Sequence, residues 1–247
     1  MDIRRDQQRY RRSKPSWLGR GIERLTHPVG SALAGAVPKW PVQKIVEGID
    51  TAVGAPPLTE LNHDPADADA ARSAAKRIER IARTVNGASG AAAGFGGALT
   101  ASLDIPGTIA IALRNVRDTG VAYGFSDRGA EERMFRMQIL ELATLNDREE
   151  RRRRMDALEA SIAEDGSLRH VDPNAAKPLV DQVVERVSRA LALASLRNRL
   201  GMVVPVIGSA VGAAVNSSFQ SDVSKAARFG YQARWLKRHE DVIDASA

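Results

Sequence analysis

Apolar residues along this chain recur every three to four positions, and no stretch alternates with period two over a strand's length. That spacing gathers apolar side chains on one face of an α-helix and gives no sign of a sheet. Leu18, Ile22 and Leu25, flanked by Trp17, predict a short amphipathic helix over 16–26. Breaks at Pro28, Pro38 and Pro41 precede a second, over 42–53, with Val42, Ile45, Val46 and Ile49 on one side. Pro56, Pro57 and Pro65 make 54–69 linker-like, and Asp64 before Pro65 suits a helix cap with proline at the first helical position. Helices are then predicted over 66–84, 104–123, 126–145, 146–163, 172–200 and 205–240, with an uncharged Gly/Ala-rich segment at 85–103. Asp104-Ile105-Pro106, Ser126-Asp127, Asn146 with Glu149, and Asp172-Pro173 look like starts. Gly124, Gly166 and Gly201 look like ends. The expected fold is all-α, a multi-helix bundle with Gly/Ala-rich central helices. It divides into a basic flexible arm (1–14), an amphipathic and helical segment (15–58), a linker (59–69), a helical core (70–240) and a tail (241–247).

Gly87, Gly90, Gly94, Gly97 and Ala101 recur at helical spacing, and Gly208 and Gly212 repeat the theme. Glycine inside a helix costs about 1 kcal/mol relative to alanine, so small residues in register imply that helices approach closely there. A soluble core and a bilayer both allow it. Residues 85–103 and 200–221 carry no charge and approach the length of a membrane span. Few of their residues drive insertion, so burial in a soluble core is the preferred expectation, with a membrane hairpin as the alternative.

Composition sharpens this picture. Hydrophobic residues are 43% of the chain and aromatics 4%, so a core of Ala, Val, Leu and Ile is expected. Cysteine is absent, which excludes disulfides, thiolate metal sites and thiol nucleophiles and fits a reducing, cytoplasmic setting. Net charge is +6, and much of the excess lies at the start. Arg4, Arg5, Arg9, Arg11, Arg12, Lys14, Arg20 and Arg24 face only Asp2, Asp6 and Glu23. No secretory h-region follows them. A basic arm before the apolar stripe Trp17, Leu18, Ile22, Leu25 suits contact with an anionic membrane surface, and a membrane-protein partner fits the same picture. Nucleic acid ranks last, because aromatic residues do not interleave with the charges.

Candidate chemistry is sparse. No nucleophile elbow, zinc-protease helix or phosphate loop occurs, and the catalytic residues stay unknown. His27, His63, His170 and His239 are scattered, so no metal and no cofactor is expected. In the run Arg151–Arg154, Asp147, Glu149 and Glu150 stand four residues before Arg151, Arg153 and Arg154, the spacing of a solvated, ion-paired helix face. An anion-binding surface is the alternative. Asp104, Arg114, Arg117, Asp118 and Asn216 form a candidate polar cluster inside the bundle, either structural or ligand-binding. Arg114 and Asp118, at i and i+4 on an otherwise apolar helix, are expected to make a buried ion pair.

Two blocks carry a resemblance. The first is Asp104-Ile105-Pro106-Gly107-Thr108, then Leu113-Arg114, Val116, Asp118 and Tyr123-Gly124. The second is Val204-Pro205-Val206-Ile207-Gly208, then Gly212, Asn216 and Phe219. Lys39-Trp40-Pro41 before them and Ala226-Ala227-Arg228-Phe229 with Arg234-Trp235-Leu236 after them complete the pattern. Residues 38–240 resemble the EcsC family of bacterial proteins. The resemblance implies a link to transport or secretion, since the family takes its name from an operon that also encodes an ABC-type exporter, and it brings no catalytic residues. A non-enzymatic accessory protein at the inner face of the cytoplasmic membrane is the expected function. An enzyme or a small-ligand or lipid binder using the buried polar cluster is the alternative.

Overall fold

The computed structural model of the chain describes residues 3–14, 54–95, 98–126, 128–145, 147–172, 183, 186 and 205–240, with backbone alone over 86–106 and 205–216. The protein is all-α, as the periodicity predicts. Its described helices are α1 (Ile3–Arg12), α2 (Ala68–Phe95), α3 (Ala98–Ala122), α4 (Ala130–Leu142), α5 (Arg148–Ala160) and α6 (Pro205–Arg238). Among the described residues there is no strand, only one isolated antiparallel bridge between Ile162 and Leu168. Nor is any of these helices long and apolar enough to cross a membrane. The helices expected at 16–26 and 42–53, and most of the one at 172–200, lie outside the described residues.

Several boundaries move, each for a local reason. Asp67, not Asp64, caps α2, its carboxylate accepting from Asp69 N at 2.9 Å and Ala70 N at 3.1 Å; Asp64 instead closes the turn before it. Asp147, not Asn146, caps α5, accepting from Glu150 N at 2.7 Å. α2 runs on into the glycine-rich segment as far as Phe95, and α3, which begins at Ala98, passes through Pro106, so Asp104–Pro106 is not a helix start. Gly124 ends α3 as expected: at φ +80° it lets Phe125 N reach back to Gly120 O at 2.9 Å.

α6 is the central element. It packs most extensively along α2, then against α3, α4 and α1. Small residues suit that packing: Ala71 and Ala75 of α2, Ala112 of α3 and Ala226 and Ala227 of α6 are all fully buried in one core. The aromatics are few, but Tyr123, Phe125, Phe135, Phe219, Phe229 and Tyr231 are among the largest fully buried side chains, so the core is not the purely aliphatic one that composition suggests.

Residues 1–14 were expected as a flexible arm, and here the structure differs most. Ile3, Gln7 and Tyr10 lie at i, i+4 and i+7 of α1 and turn inward. Ile3 is 4% exposed. Gln7 Nε2 donates to Phe229 O at 2.9 Å and to Gln232 Oε1 at 3.2 Å, and Tyr10 stacks on Phe229 with centroids 4.8 Å apart. Asp6 receives Arg72 of α2 in a two-point ion pair. Most of these contacts are polar or aromatic, so an aliphatic-period scan passes over the helix.

Candidate anion-binding cleft

α1 roofs a cleft of about 350 Å³. Asp6, Arg9, Tyr10, Ser13 and Lys14 line it from α1 and its end, and Arg72 and Lys76 from α2. Leu142, Ala143 and Phe229 add apolar lining, and Arg151 of α5 lines it as well. Asp222, Lys225, Arg228 and Gln232 of α6 complete the wall. Seven cationic side chains thus meet two carboxylates, a surplus of five in one concavity. Such focused positive potential attracts anions.

The local pairings show which charges are already satisfied. Arg72 and Arg9 lean on Asp6, Arg9 at 3.8 Å. Burial alone would raise the Asp6 carboxyl, but the hydrogen bond and charge of Arg72, with Arg9 and Lys76 nearby, hold it below its ordinary value. Arg228 reaches out to Glu79 at 2.6 Å, and Lys225 to Asp222 at 3.3 Å. Arg151 differs. It is 5% exposed, yet among the described residues its guanidinium meets only neutral groups: Ser13 O at 3.3 Å, Tyr10 O at 3.2 Å, Ser13 Oγ at 3.1 Å and the Tyr10 ring, 4.4 Å to the centroid. Tyr10 supplies no counter-charge, because burial raises its hydroxyl further above its ordinary value against the opposing pull of Arg151. Asp222 Oδ2 is buried and has no hydrogen-bond partner among the described residues.

The arginine run therefore splits. Arg153 pairs with Glu149 at 3.1 Å, as a solvated face should, and Arg154 with Glu141 at 3.3 Å instead of Glu150. Arg151 turns into the cleft, because Asp147 is occupied as the helix cap.

Within the expected polar cluster the pairing differs from the anticipated one. Arg114 does not pair with Asp118: its Nη2 donates to Pro56 O at 2.5 Å. Asp118, 1% exposed, takes Arg117 at 2.7 Å and the backbone N–H of Leu58 at 2.6 Å, while Arg117 Nη1 donates to Ala55 O at 2.5 Å. The three side chains clip the proline-rich loop 55–58 onto α3. Loop carbonyls compete for the guanidiniums, and no i,i+4 rule anticipates them. The side chains of Asp104 and Asn216 lie outside the described ones. So do Trp17, Leu18, Ile22 and Leu25 of the expected membrane contact. Arg4, Arg5, Arg9, Arg11, Arg12 and Lys14 are all exposed on or just after α1, and Arg11 also engages Asp156 at 3.1 Å and Glu159.

Two buried polar networks escaped sequence reasoning. Asn115 Nδ2 donates to Ser224 Oγ at 2.8 Å and Gln220 Oε1 at 3.2 Å, joining α3 to α6. Glu132 of α4 accepts from Arg234 at 2.6 Å and from Tyr231 Oη at 2.6 Å, with Arg136 at 3.4 Å. Burial, then the Glu132 charge, raises the Tyr231 hydroxyl well above its ordinary value. Arg234 also stacks over Phe125 at 3.9 Å and donates to Gly166 O at 3.0 Å. Gly166 sits at φ +76°, and a Cβ there would lie 2.6 Å from Arg234 O, so only glycine fits. The described histidines are dispersed: His63 meets Ala122 O, His170 meets Glu131, and His239 stacks on Trp235. No group of metal-ligating side chains occurs among the described residues.

Fold and site define an all-α bundle with a cationic cleft beneath its N-terminal helix. The chain belongs to the EcsC protein family, whose model matches residues 3–236. The match takes in α1, so the resemblance extends well before residue 38. The chain is also similar to the Uncharacterized protein YdbA of Bacillus subtilis (strain 168), with 28% identity over 150 residues, covering 59% of this chain and 50% of that protein. It thus spans about half the length of this curated relative. No solved structure matches it.

Proposed function

We propose that this EcsC-family protein is a non-enzymatic accessory protein that docks on the anionic inner face of the cytoplasmic membrane, in a transport or secretion setting. The observation that supports it most is the set of exposed cations on or just after the helix that roofs the cleft: Arg4, Arg5, Arg9, Arg11, Arg12 and Lys14. Each cation near an anionic lipid surface contributes about 1 kcal/mol of binding, within a Debye length. Because α1 is packed on the bundle, the charges form a fixed patch and lose little conformational freedom on contact. Trp17, Leu18, Ile22 and Leu25 follow in the chain and would supply an apolar second anchor.

Arg5, Arg12 and Lys14 are exposed and make no hydrogen bond or ion pair among the described residues, so their replacement should leave the fold intact. Wild type should sediment with vesicles containing phosphatidylglycerol, not with phosphatidylcholine alone, and should be released by salt. The triple change Arg5→Gln, Arg12→Gln and Lys14→Gln should weaken that binding roughly tenfold or more. Equal binding by the variant, or none by wild type, would contradict the proposal.

A further inference from the structure

We infer that the cleft beneath α1 is a binding site for a phosphorylated polyol: a phosphate monoester that also carries free hydroxyl groups. The inference goes beyond surface docking and does not depend on it. A buried guanidinium needs a counter-charge, and Arg151 has none among the described residues; its partners are two carbonyls, a hydroxyl and a ring. The carbonyls at the end of α1 supply a partial charge of only about half a unit. Arg151 Nε takes part in none of those bonds, and the guanidinium fork suits phosphoryl oxygens. Lys76 of α2, exposed and lining the same cleft, makes no hydrogen bond among the described residues and can add a second cationic donor. Asp222 supplies the complementary demand. Its buried Oδ2 lacks a donor, and a carboxylate in a cationic cleft accepts from a hydroxyl while repelling a phosphoryl group. The Tyr10 and Phe229 rings and Leu142 offer apolar surface to the carbon skeleton, and about 350 Å³ holds a small ester but not a nucleic-acid strand.

Calorimetric titration of the full chain at constant ionic strength tests this with glycerol 3-phosphate, inorganic phosphate and glycerol. Glycerol 3-phosphate should bind more tightly than phosphate, and glycerol should not bind. Lys76→Gln and Arg151→Gln should each weaken the ester about tenfold or more, the loss of one charge-assisted hydrogen bond. Asp222→Ala should bring the ester down to the affinity of phosphate. Vesicles containing phosphatidylglycerol phosphate distinguish the source. Binding that is lost in Lys76→Gln on those vesicles, without binding of free ester, assigns the site to a lipid headgroup; binding of free ester assigns it to a soluble metabolite. Lys76→Gln is a surface change that keeps the test meaningful should Arg151→Gln fail to fold. No binding of either form, or binding unchanged in both cation variants, would overturn the inference. Retention on phosphatidylglycerol vesicles would stand or fall separately, through Arg5→Gln and Arg12→Gln alone, whose side chains do not line the cleft.

Discussion

Asp6 shows how one residue ties charge to architecture. It holds Arg72 of α2 in a two-point pair, steadies Arg9, and keeps α1 seated over the cleft. Its carboxyl lies below its ordinary value because the pull of Arg72 outweighs burial. A depressed folded pKa means stability that is present above the unfolded value, near 3.9, and lost as pH falls through the folded one. Asp6→Asn should therefore lower stability by roughly 1–2 kcal/mol at pH 7, a charge-assisted bond discounted for partial exposure. The deficit should shrink below about pH 4, as the wild-type carboxyl protonates. Thermal melts of both proteins from neutral to acid pH check it; a deficit independent of pH would mean the charge of Asp6 is idle. Arg151 is the other instructive residue. The sequence spacing hands it to Asp147, but a carboxylate one residue before a helix is drawn to the free N–H groups of the first turn. The arginine, freed from that pair, is buried where the cleft needs a cation.

At the scale of elements, the bundle depends on how closely α3 and α6 approach. Gly120 lies against Tyr231, and an added Cβ would sit 2.6 Å from its ring. Tyr231 cannot step aside cheaply, since it is fully buried and donates to Glu132. Gly120→Ala should cost about 1–3 kcal/mol by overpacking, against the usual gain of alanine in a helix. Gly54→Ala, with nothing within 4 Å, should stay within about 0.5 kcal/mol and serves as the control. Denaturant unfolding of the two variants checks it, and a neutral Gly120→Ala would mean the helices are further apart. Helices with an aliphatic period and clear ends, such as α4 and α5, were legible from sequence to within a few residues. α1 was not, because its inward face is Ile3, Gln7 and Tyr10 and only the first of these is aliphatic. The partners of Arg114 and Arg117 were not, because loop carbonyls brought in from about sixty residues upstream outcompete the neighbouring turn. The cleft itself was invisible: its cations come from four separate helices, and no linear motif records their convergence.

For the whole molecule, charge is distributed unevenly enough to define a working face. A net +6 over 247 residues is modest, yet a surplus of five lines one cleft, and the helix above it carries further exposed cations. Cations are drawn together against their mutual repulsion only where an anion, or a desolvated carboxylate, repays the cost. Asp6, Glu79 and Asp222 do so in part, and the remainder is the basis for assigning the face to anionic ligands. Amide hydrogen exchange on the full chain, with and without anionic vesicles, tests that assignment most directly. The account predicts slowed exchange concentrated in residues 3–14, around Arg72 and Lys76, and along 222–232, with the loop at 55–58 unchanged. Protection confined to segments away from the cleft, or no protection on vesicles that retain the protein, would contradict it.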